Sequence, residues 1–193
     1  YMSLVLKPEI DPNNASMLTL ITAMAVAGGI EKTTGLECKI KWPNDIVVHG
    51  KKVCGILTEM STQMDYINYI VIGIGINVQN ESFPEEIGEV ATSLRIESGK
   101  KQKRAAIIEA VWEEFEKYYD IYLKTEDMQR LVGEYDQKLA NMNKQVRVLD
   151  PKDPYEGTAR GITPKGELIV DTWEARKLVS SGEVSVRGLY GYV

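Results

Sequence analysis

The residues best suited to chemistry begin at the segment KWPND, residues 41–45, where a strand-like pattern stops abruptly. Proline interrupts a strand because it cannot donate a backbone hydrogen bond, and Asn44 and Asp45 accept turn geometry readily. A structural corner is one reading of this segment. The other is that a carboxamide and a carboxylate are presented together to a ligand.

Lys52 lies at the start of the apolar, strand-like run KVCGIL, residues 52–57. A lysine in this place is commonly an edge residue whose ammonium reaches solvent. Because it precedes Cys54 by two residues, the alternation of a regular strand predicts that both point to the same face. Gly55 follows directly, and a glycine inside a strand often marks close approach by a ligand or another backbone.

A second glycine-containing stretch, GIGIN at residues 73–77, places Gly73 and Gly75 in an apolar strand that ends at Asn77. It is not a dinucleotide fingerprint, because the third glycine is missing and no helix opens after it. The glycines could simply allow tight strand packing. Alternatively, two positions without side chains let a flat ligand lie against the sheet, where Asn77 can hydrogen-bond to it.

Together, a lysine, a carboxylate, a carboxamide and three glycines fall on neighbouring predicted strands. This set suits the activation of a small, flat, partly apolar acid through a phosphate. Lys52 could neutralise the charge that develops on the carboxylate and the phosphate. Asp45 could bind Mg²⁺ or orient an incoming amine.

Composition and charge disfavour several other functions. The 193 residues are 44% hydrophobic and 26% charged, with a formal net charge of −5, so a general affinity for nucleic acid or anionic membrane is not expected. No apolar run approaches the roughly 20 residues that span a bilayer, and we expect a cytoplasmic protein. Two cysteines and one histidine make a poor zinc ligand set, and Cys38 and Cys54 are predicted to be buried thiols.

The elements that position these residues follow from hydrophobic periodicity and turn signals. Strands are predicted at residues 1–6, 37–41, 46–48, 52–60 and 67–78, the last of them central, with a hairpin turn at 49–51. Helices are predicted at about 11–35, 102–123 and 126–139, with a loop over 79–101. From residue 145 short strands alternate with turns, which predicts a small antiparallel barrel or sandwich and a domain boundary near residue 142.

In this order, KWPND, KVCGILTE, GIGINV and ATSL (residues 91–94) resemble the catalytic domain of biotin protein ligases. The stretch from VRVLD to EVSVRGLYGYV resembles that family's small C-terminal domain. The resemblance implies an α+β fold, with a mixed or antiparallel sheet flanked by helices over residues 1–141. It also implies an SH3-like β-barrel over residues 142–193.

The family makes biotinyl-5′-AMP from biotin and ATP with Mg²⁺, and then transfers biotin to a lysine of a biotin carboxyl carrier domain. The resemblance implies that Lys52 and Asp45 are catalytic, with Asp45 the one candidate Mg²⁺ ligand. The residues expected to contact biotin are Lys52, Gly55, Leu57, Gly73 and Gly75. Those expected to contact ATP are Lys52, Asn44, Asn77, Ala91 and Ser93.

The family's glycine- and arginine-rich loop, of the GRGRxxR type, has no counterpart in this sequence, and residues 1–6 resemble the strand shortly after it. We therefore expect these residues alone to make little adenylate, whereas an intact parent would be a biotin–[acetyl-CoA-carboxylase] ligase. No helix-turn-helix precedes the catalytic pattern, so DNA binding is not expected of this chain. A homodimer is a further expectation.

Two other functions stay open at this point. A lipoate or octanoate ligase shares the general fold and a key lysine, but KWPND and the C-terminal domain favour biotin. A non-catalytic module that binds biotin or docks carrier domains is the other alternative. The presence of Lys52, Asp45 and Asn77 together argues against a decayed site.

Overall fold

The computed structural model describes residues 1–63, 66–181, 185–189 and 192–193. The strands of the amino-terminal half are β1 (Met2–Leu6), β2 (Lys39–Lys41), β3 (Asp45–Val48), β4 (Lys51–Gln63) and β5 (Tyr66–Ile76). Those of the carboxyl-terminal part are β6 (Gln145–Leu149), β7 (Tyr155–Ile162), β8 (Leu168–Asp171), β9 (Arg176–Val179) and β10 (Ser185–Gly188). After a 3₁₀ turn at Pro12–Asn14, the helices are α1 (Met17–Thr34), α2 (Glu85–Gly88), α3 (Leu94–Ser98), α4 (Arg104–Tyr122) and α5 (Val132–Lys138).

Two five-stranded sheets organise the chain. The first sheet has the order β1-β5-β4-β3-β2, and the second has the order β10-β6-β7-β8-β9. Neighbouring strands in both sheets run antiparallel, which together with the flanking helices confirms the predicted α+β class. Within the described residues the second sheet is open, since no pairing joins β9 to β10. The domain boundary between residues 141 and 142 stays a prediction.

The first sheet has one buried face and one open face. Ile56, Ile72 and Ile74 belong to the same buried core as the apolar residues of α1 and α4. The residues between them in sequence point the other way, and Leu57 on β4 and Val5 on β1 are more than half exposed. We call this second side the open face. The predicted interior position of β5 is confirmed, because it lies between β1 and β4.

Helix α1 is buried around nearly its whole circumference. By length and composition alone, residues 12–34 could cross a membrane, contrary to our expectation that no stretch qualifies. However, 72% of the most apolar window is buried inside the protein, as in the central helix of a globular core. The helix ends at Gly35, whose φ of 75° provides the left-handed cap and whose N–H donates to the Glu31 carbonyl oxygen.

The hairpin between β3 and β4 turns at His49 and Gly50, with φ values of 48° and 79°. Two consecutive positive φ values are typical of a type I′ turn, which confirms the predicted hairpin. Lys51, predicted to be in the turn, is already the first residue of β4.

Three helices differ from the prediction, and the first is α2, a single turn inside the predicted loop over residues 79–101. Helix α3 lies inside the predicted loop, because the Ser93 hydroxyl accepts a hydrogen bond from the Ile96 N–H and caps a short turn. Helix α5 begins at Val132 instead of near residue 126. The Met128 N–H donates to the Pro164 carbonyl oxygen, and Glu126 has a φ of 52°. Residues 126–131 therefore do not form the first turns of this helix.

Helices α1 and α4 meet at a glycine. A Cβ atom placed on Gly29 would lie 2.7 Å from the backbone nitrogen of Val111, a distance that requires the helices to move apart. The neighbouring Gly28 faces only the flexible side chain of Glu114, at 3.3 Å. Gly29 is therefore required by packing, whereas Gly28 is not.

We expect Gly29→Ala to lower the free energy of unfolding by about 1–3 kcal/mol, because the added methyl group overpacks a rigid backbone contact. Gly28→Ala is the matched control in the same helix. It should be neutral or stabilising by up to about 1 kcal/mol, since alanine favours helix. Urea unfolding measures the stability of both variants. Equal stability would contradict the close approach of α1 and α4 at Gly29.

Candidate functional site

Three glycines form an area of bare backbone on the open face of the first sheet. Gly55 on β4 pairs directly with Gly75 on β5, and Leu57 pairs with Gly73. Because paired residues point to the same side of a sheet, the three glycines lie together, and we call them the glycine floor. Leu57 is 64% exposed beside it, and the ring of Tyr1 lies over Gly75. A flat ligand can approach the backbone at such a surface.

A β-bulge brings Lys52 to one end of the glycine floor. Ile46 pairs with Cys54 but Val47 pairs with Lys52, so β4 has one residue more than β3 at this point. A Cβ atom on Gly55 would consequently lie 3.0 Å from both Cε and Nζ of Lys52. The prediction that Lys52 and Cys54 share a face is therefore wrong, because the extra residue reverses the alternation and leaves Cys54 in the core.

The backbone of Lys52 is held on the side opposite β3 by residues 90–92. Its N–H donates to the Val90 carbonyl oxygen (2.7 Å), and its carbonyl oxygen accepts from the Thr92 N–H (2.8 Å). The side-chain amide of Asn77 donates to the Thr92 carbonyl oxygen (3.1 Å) and fixes the same segment. The structure thus brings Asn77 and Ala91, two of the predicted nucleotide residues, next to Lys52.

Ser93, another predicted nucleotide residue, is fully buried. Its hydroxyl donates to the Asn80 carbonyl oxygen (2.6 Å) and accepts from the Ile96 N–H (3.1 Å). Both hydrogen bonds are structural, so the hydroxyl positions the start of α3.

Asn44 connects the KWPND corner to β4. Its side-chain amide donates to the Ile56 carbonyl oxygen (2.8 Å), and its own carbonyl oxygen accepts from the Ile56 N–H (2.9 Å). Beside it is a pocket of about 320 Å³ that is lined in part by Pro43, Asn44, Leu57 and Thr58. Ala15, Ser16 and Thr19 line the same pocket, so Asn44 borders a space between β4 and the start of α1, on the helix side of the sheet.

The charged groups of the site surround the carboxylate of Asp45. It is 6% exposed, and its Oδ1 lies 2.5 Å from Nζ of Lys52. This contact is an ion pair and not a well-directed hydrogen bond. The hydroxyl of Tyr192 donates to Oδ2, and Nζ of Lys41 is 3.9 Å from the same oxygen. We call these four residues the Asp45 cluster.

The Asp45 cluster carries more positive than negative charge, since two lysines meet one carboxylate. Burial lowers the pKa of the Lys41 ammonium, and Lys52 and Arg187 lower it further while Asp45 opposes them. Burial and the bond to Asp45 raise the pKa of the Tyr192 hydroxyl, which therefore stays a donor. A partly buried site with excess positive charge favours an anionic ligand.

Asp45 does not fit the predicted role of Mg²⁺ ligand. Lys52 and Tyr192 already contact its two oxygens, and Lys41 adds a second cation at close range. Within the described ranges, no group of three or more His, Cys, Asp or Glu side chains could hold a metal ion. We therefore assign Asp45 the role of holding Lys52.

Sequence reasoning missed Tyr192 and placed Lys41 second to Lys52. Tyr192 is separated from Asp45 by 147 residues, so no local pattern connects them. Lys41 gave a weak signal, because it opens the same KWPND segment and precedes Asp45 by four residues.

Two sequence families match the chain. The biotin/lipoate A/B protein ligase family matches residues 1–77. The family of the biotin protein ligase C terminal domain matches residues 142–187. The two matches lie on the first and the second sheet, respectively.

Individual relatives agree with these matches. The chain is 38% identical to the bifunctional ligase/repressor BirA of Bacillus spizizenii over 188 residues, which are 96% of this chain and 58% of that protein. It is 30% identical to the biotin–[acetyl-CoA-carboxylase] ligase of Mycobacterium tuberculosis, covering 86% of this chain and 61% of that protein. The chain thus spans less than two thirds of the length of these curated relatives.

Solved structures show the same likeness. The biotin protein ligase from Aquifex aeolicus in complex with biotin and ATP superposes with a TM-score of 0.83 at 28% identity, covering 96% of this chain and 77% of that one. Its apo structure gives a TM-score of 0.86 at 29% identity.

We expect Gly55→Ala to separate Lys52 from Asp45 and to lower the free energy of unfolding, because the buried carboxylate loses one of its cations. The new methyl group would lie 3.0 Å from the mobile end of the Lys52 side chain, which can swing away, and in ordinary contact with Asp45 Oδ1 at 3.5 Å. A crystal structure of the variant should show an Nζ–Oδ1 distance beyond about 4 Å, where an ion pair contributes little. Gly73→Ala is the control, because its Cβ would meet only the Leu57 carbonyl oxygen, at 3.7 Å. An unchanged ion pair in Gly55→Ala would contradict the contact.

We expect Lys41→Met to increase the free energy of unfolding near neutral pH. Burial lowers the pKa of Lys41 in the folded protein below its ordinary value of 10.5. At pH values between this lowered pKa and 10.5, the unfolded chain binds more protons than the folded protein does. The free energy of unfolding of the wild type therefore rises with pH in this range. The advantage of Lys41→Met should therefore be largest below the lowered pKa and disappear toward pH 10.5.

Urea unfolding at several pH values measures this difference, with the half-exposed Lys39→Met on the same strand as control. A pH-independent difference between wild type and Lys41→Met would show that desolvation of the ammonium is not its cause.

Proposed function

Because the chain belongs to the biotin protein ligase family, we propose that it carries the site where biotin is activated by ATP and passed to a lysine of a biotin carboxyl carrier domain. The activity, substrates and partner are all part of this proposal. The observation that carries it is the position of Lys52, which is paired with Asp45 at the end of the glycine floor.

The first step joins two anions. A carboxylate oxygen of biotin forms a bond to the α-phosphorus of ATP, and the bond from that phosphorus to the pyrophosphate oxygen breaks. The repulsion between the reactants must be offset by positive charge. The side chain of Lys52 is 39% exposed at the edge of the floor, so its ammonium can reach both the carboxylate and the α-phosphate.

The glycine floor supports the choice of acid. Biotin has a flat, largely apolar bicyclic ring and a flexible chain that ends in the carboxylate. We propose that the ring lies against Gly55, Gly73 and Gly75 beside Leu57, which directs the carboxylate toward Lys52. Side chains at the three glycine positions would lift the ring away from the sheet.

The nucleotide is proposed to lie along residues 90–92. Ala91 is bridged to Lys52 through the backbone, and Asn77 anchors the same segment, so a nucleotide there has its α-phosphate near the ammonium. Ser93 supports this segment through its structural hydrogen bonds, whereas Asn44 is bonded to β4 on the side of β3. Mg²⁺ bound to ATP would neutralise phosphate charge, and among the described residues no group of three or more His, Cys, Asp or Glu side chains would bind it.

In the second step the amine of the acceptor lysine attacks the carbonyl carbon of the adenylate, and AMP leaves. Lys52 and Tyr192 already contact the two oxygens of Asp45, so in this step the carboxylate keeps the Lys52 ammonium in place.

One observation favours biotin over lipoate. The family that matches residues 1–77 includes ligases for both acids, but the one that matches residues 142–187 is specific to biotin protein ligases. Incubating the full natural protein with ATP, Mg²⁺, a carrier domain and either acid tests the choice by mass spectrometry. A mass increase of one biotin is expected. A mass increase with lipoate alone would favour a lipoate ligase. No mass increase with either acid would indicate a non-catalytic module.

We also propose a cytoplasmic location. Cys38 and Cys54 are free and buried, as expected of thiols in a reducing compartment. A homodimer stays a prediction.

We expect Lys52→Ala to reduce adenylate formation in the full natural protein by about 100-fold or more, because one preorganised charge is lost from the transition state. Lys51→Ala is the matched control. The Lys51 ammonium contacts the Gly88 carbonyl oxygen (3.3 Å) instead of the Asp45 cluster, so its loss should change the rate less than about twofold.

Radiolabelled ATP with biotin measures adenylate formation directly. Near wild-type activity of Lys52→Ala would show that the role given to this lysine is wrong.

A further inference from the structure

Tyr192 connects the second sheet to the Asp45 cluster. It follows β10, the last strand of that sheet, yet its hydroxyl donates a hydrogen bond to Oδ2 of Asp45 on β3 of the first sheet. Its ring also lies under the ammonium of Lys41, with Nζ 4.6 Å from the ring centroid. One side chain therefore contacts both the carboxylate and the second lysine of the site.

The contact fixes the rotation of the carboxylate. With Tyr192 on Oδ2, the other oxygen is left to face Lys52 at 2.5 Å. Without the hydroxyl, Oδ2 would keep only the ammonium of Lys41 at 3.9 Å. The carboxylate could then turn toward Lys41, which would leave Lys52 without a fixed partner.

Tyr192 is suited to this role over a wide pH range. Burial and the bond to Asp45 raise the pKa of its hydroxyl, so the hydroxyl keeps its proton well above neutral pH. It adds no charge that would compete with an anionic ligand. A lysine or arginine at this position would instead hold Asp45 and also attract the phosphate.

We propose that Tyr192 is a positioning residue for adenylate formation, which acts by orienting the Asp45 carboxylate so that Lys52 is presented to the reacting anions. This inference rests on the function proposed above. It makes the geometry of a site on the first sheet depend on a side chain that follows the second sheet.

Tyr192→Phe tests the proposal in the full natural protein, because it removes the hydroxyl and keeps the ring under Lys41. We expect kcat for adenylate formation to fall about tenfold, since small errors in the position of a catalytic group are costly. KM for biotin should change little, because the glycine floor is intact. Tyr155→Phe is the control: its ring also lies under a lysine, Lys177 at 4.0 Å, but on β7 of the second sheet.

A double-mutant cycle with Asp45→Ala separates positioning from general stabilisation. Once the carboxylate is gone, Tyr192→Phe should have no further effect on kcat, whereas independent effects would multiply. The thermal unfolding of each variant is measured together with its kcat.

The outcomes are distinct. Multiplicative losses, or wild-type kcat for Tyr192→Phe alone, would overturn the role of Tyr192 while leaving the proposed function in place. A wild-type protein that forms no adenylate would overturn the proposed function, and this inference with it.

Discussion

The buried carboxylate of Asp45 is the group on which the candidate site depends. Removing a carboxylate from water is costly unless cations and hydrogen-bond donors replace the lost hydration. Here the replacements come from β4, from β2 and from the segment after β10, so the site is complete only when all three surround β3. The arrangement leaves one positive charge in excess, which suits the proposed joining of two anions.

The KWPND segment has a second function in the fold, because it connects the two sheets. The indole N–H of Trp42 donates to the Gly166 carbonyl oxygen (3.0 Å), which lies between β7 and β8 of the second sheet. The segment that presents Asp45 is therefore also the segment against which the second sheet rests. Tyr192 reaches the carboxylate across this same junction.

Local patterns in the sequence predicted most of the first sheet and most of its candidate residues. Asp45, Lys52 and Gly55 belong to one hairpin, and hydrophobic alternation sets its approximate register. The direction of Lys52 could not be predicted, because a bulge depends on pairing with β3. Tyr192 could not be found either, since its contact depends on how the two sheets meet. Residues 126–131 were assigned to a helix because their propensity is helical, whereas a hydrogen bond to Pro164 holds them elsewhere.

The bulge in β4 also affects how motifs in strands are recognised. Two side chains that face one ligand from a regular strand must be an even number of residues apart, so searches for shared faces look for spacings of two or four. Lys52 and Gly55 are three apart and still share a face, because the strand is irregular between them. An odd spacing between a charged residue and a glycine in a strand is thus informative in itself. When function requires both residues on one side, an odd spacing indicates that the strand contains a bulge between them.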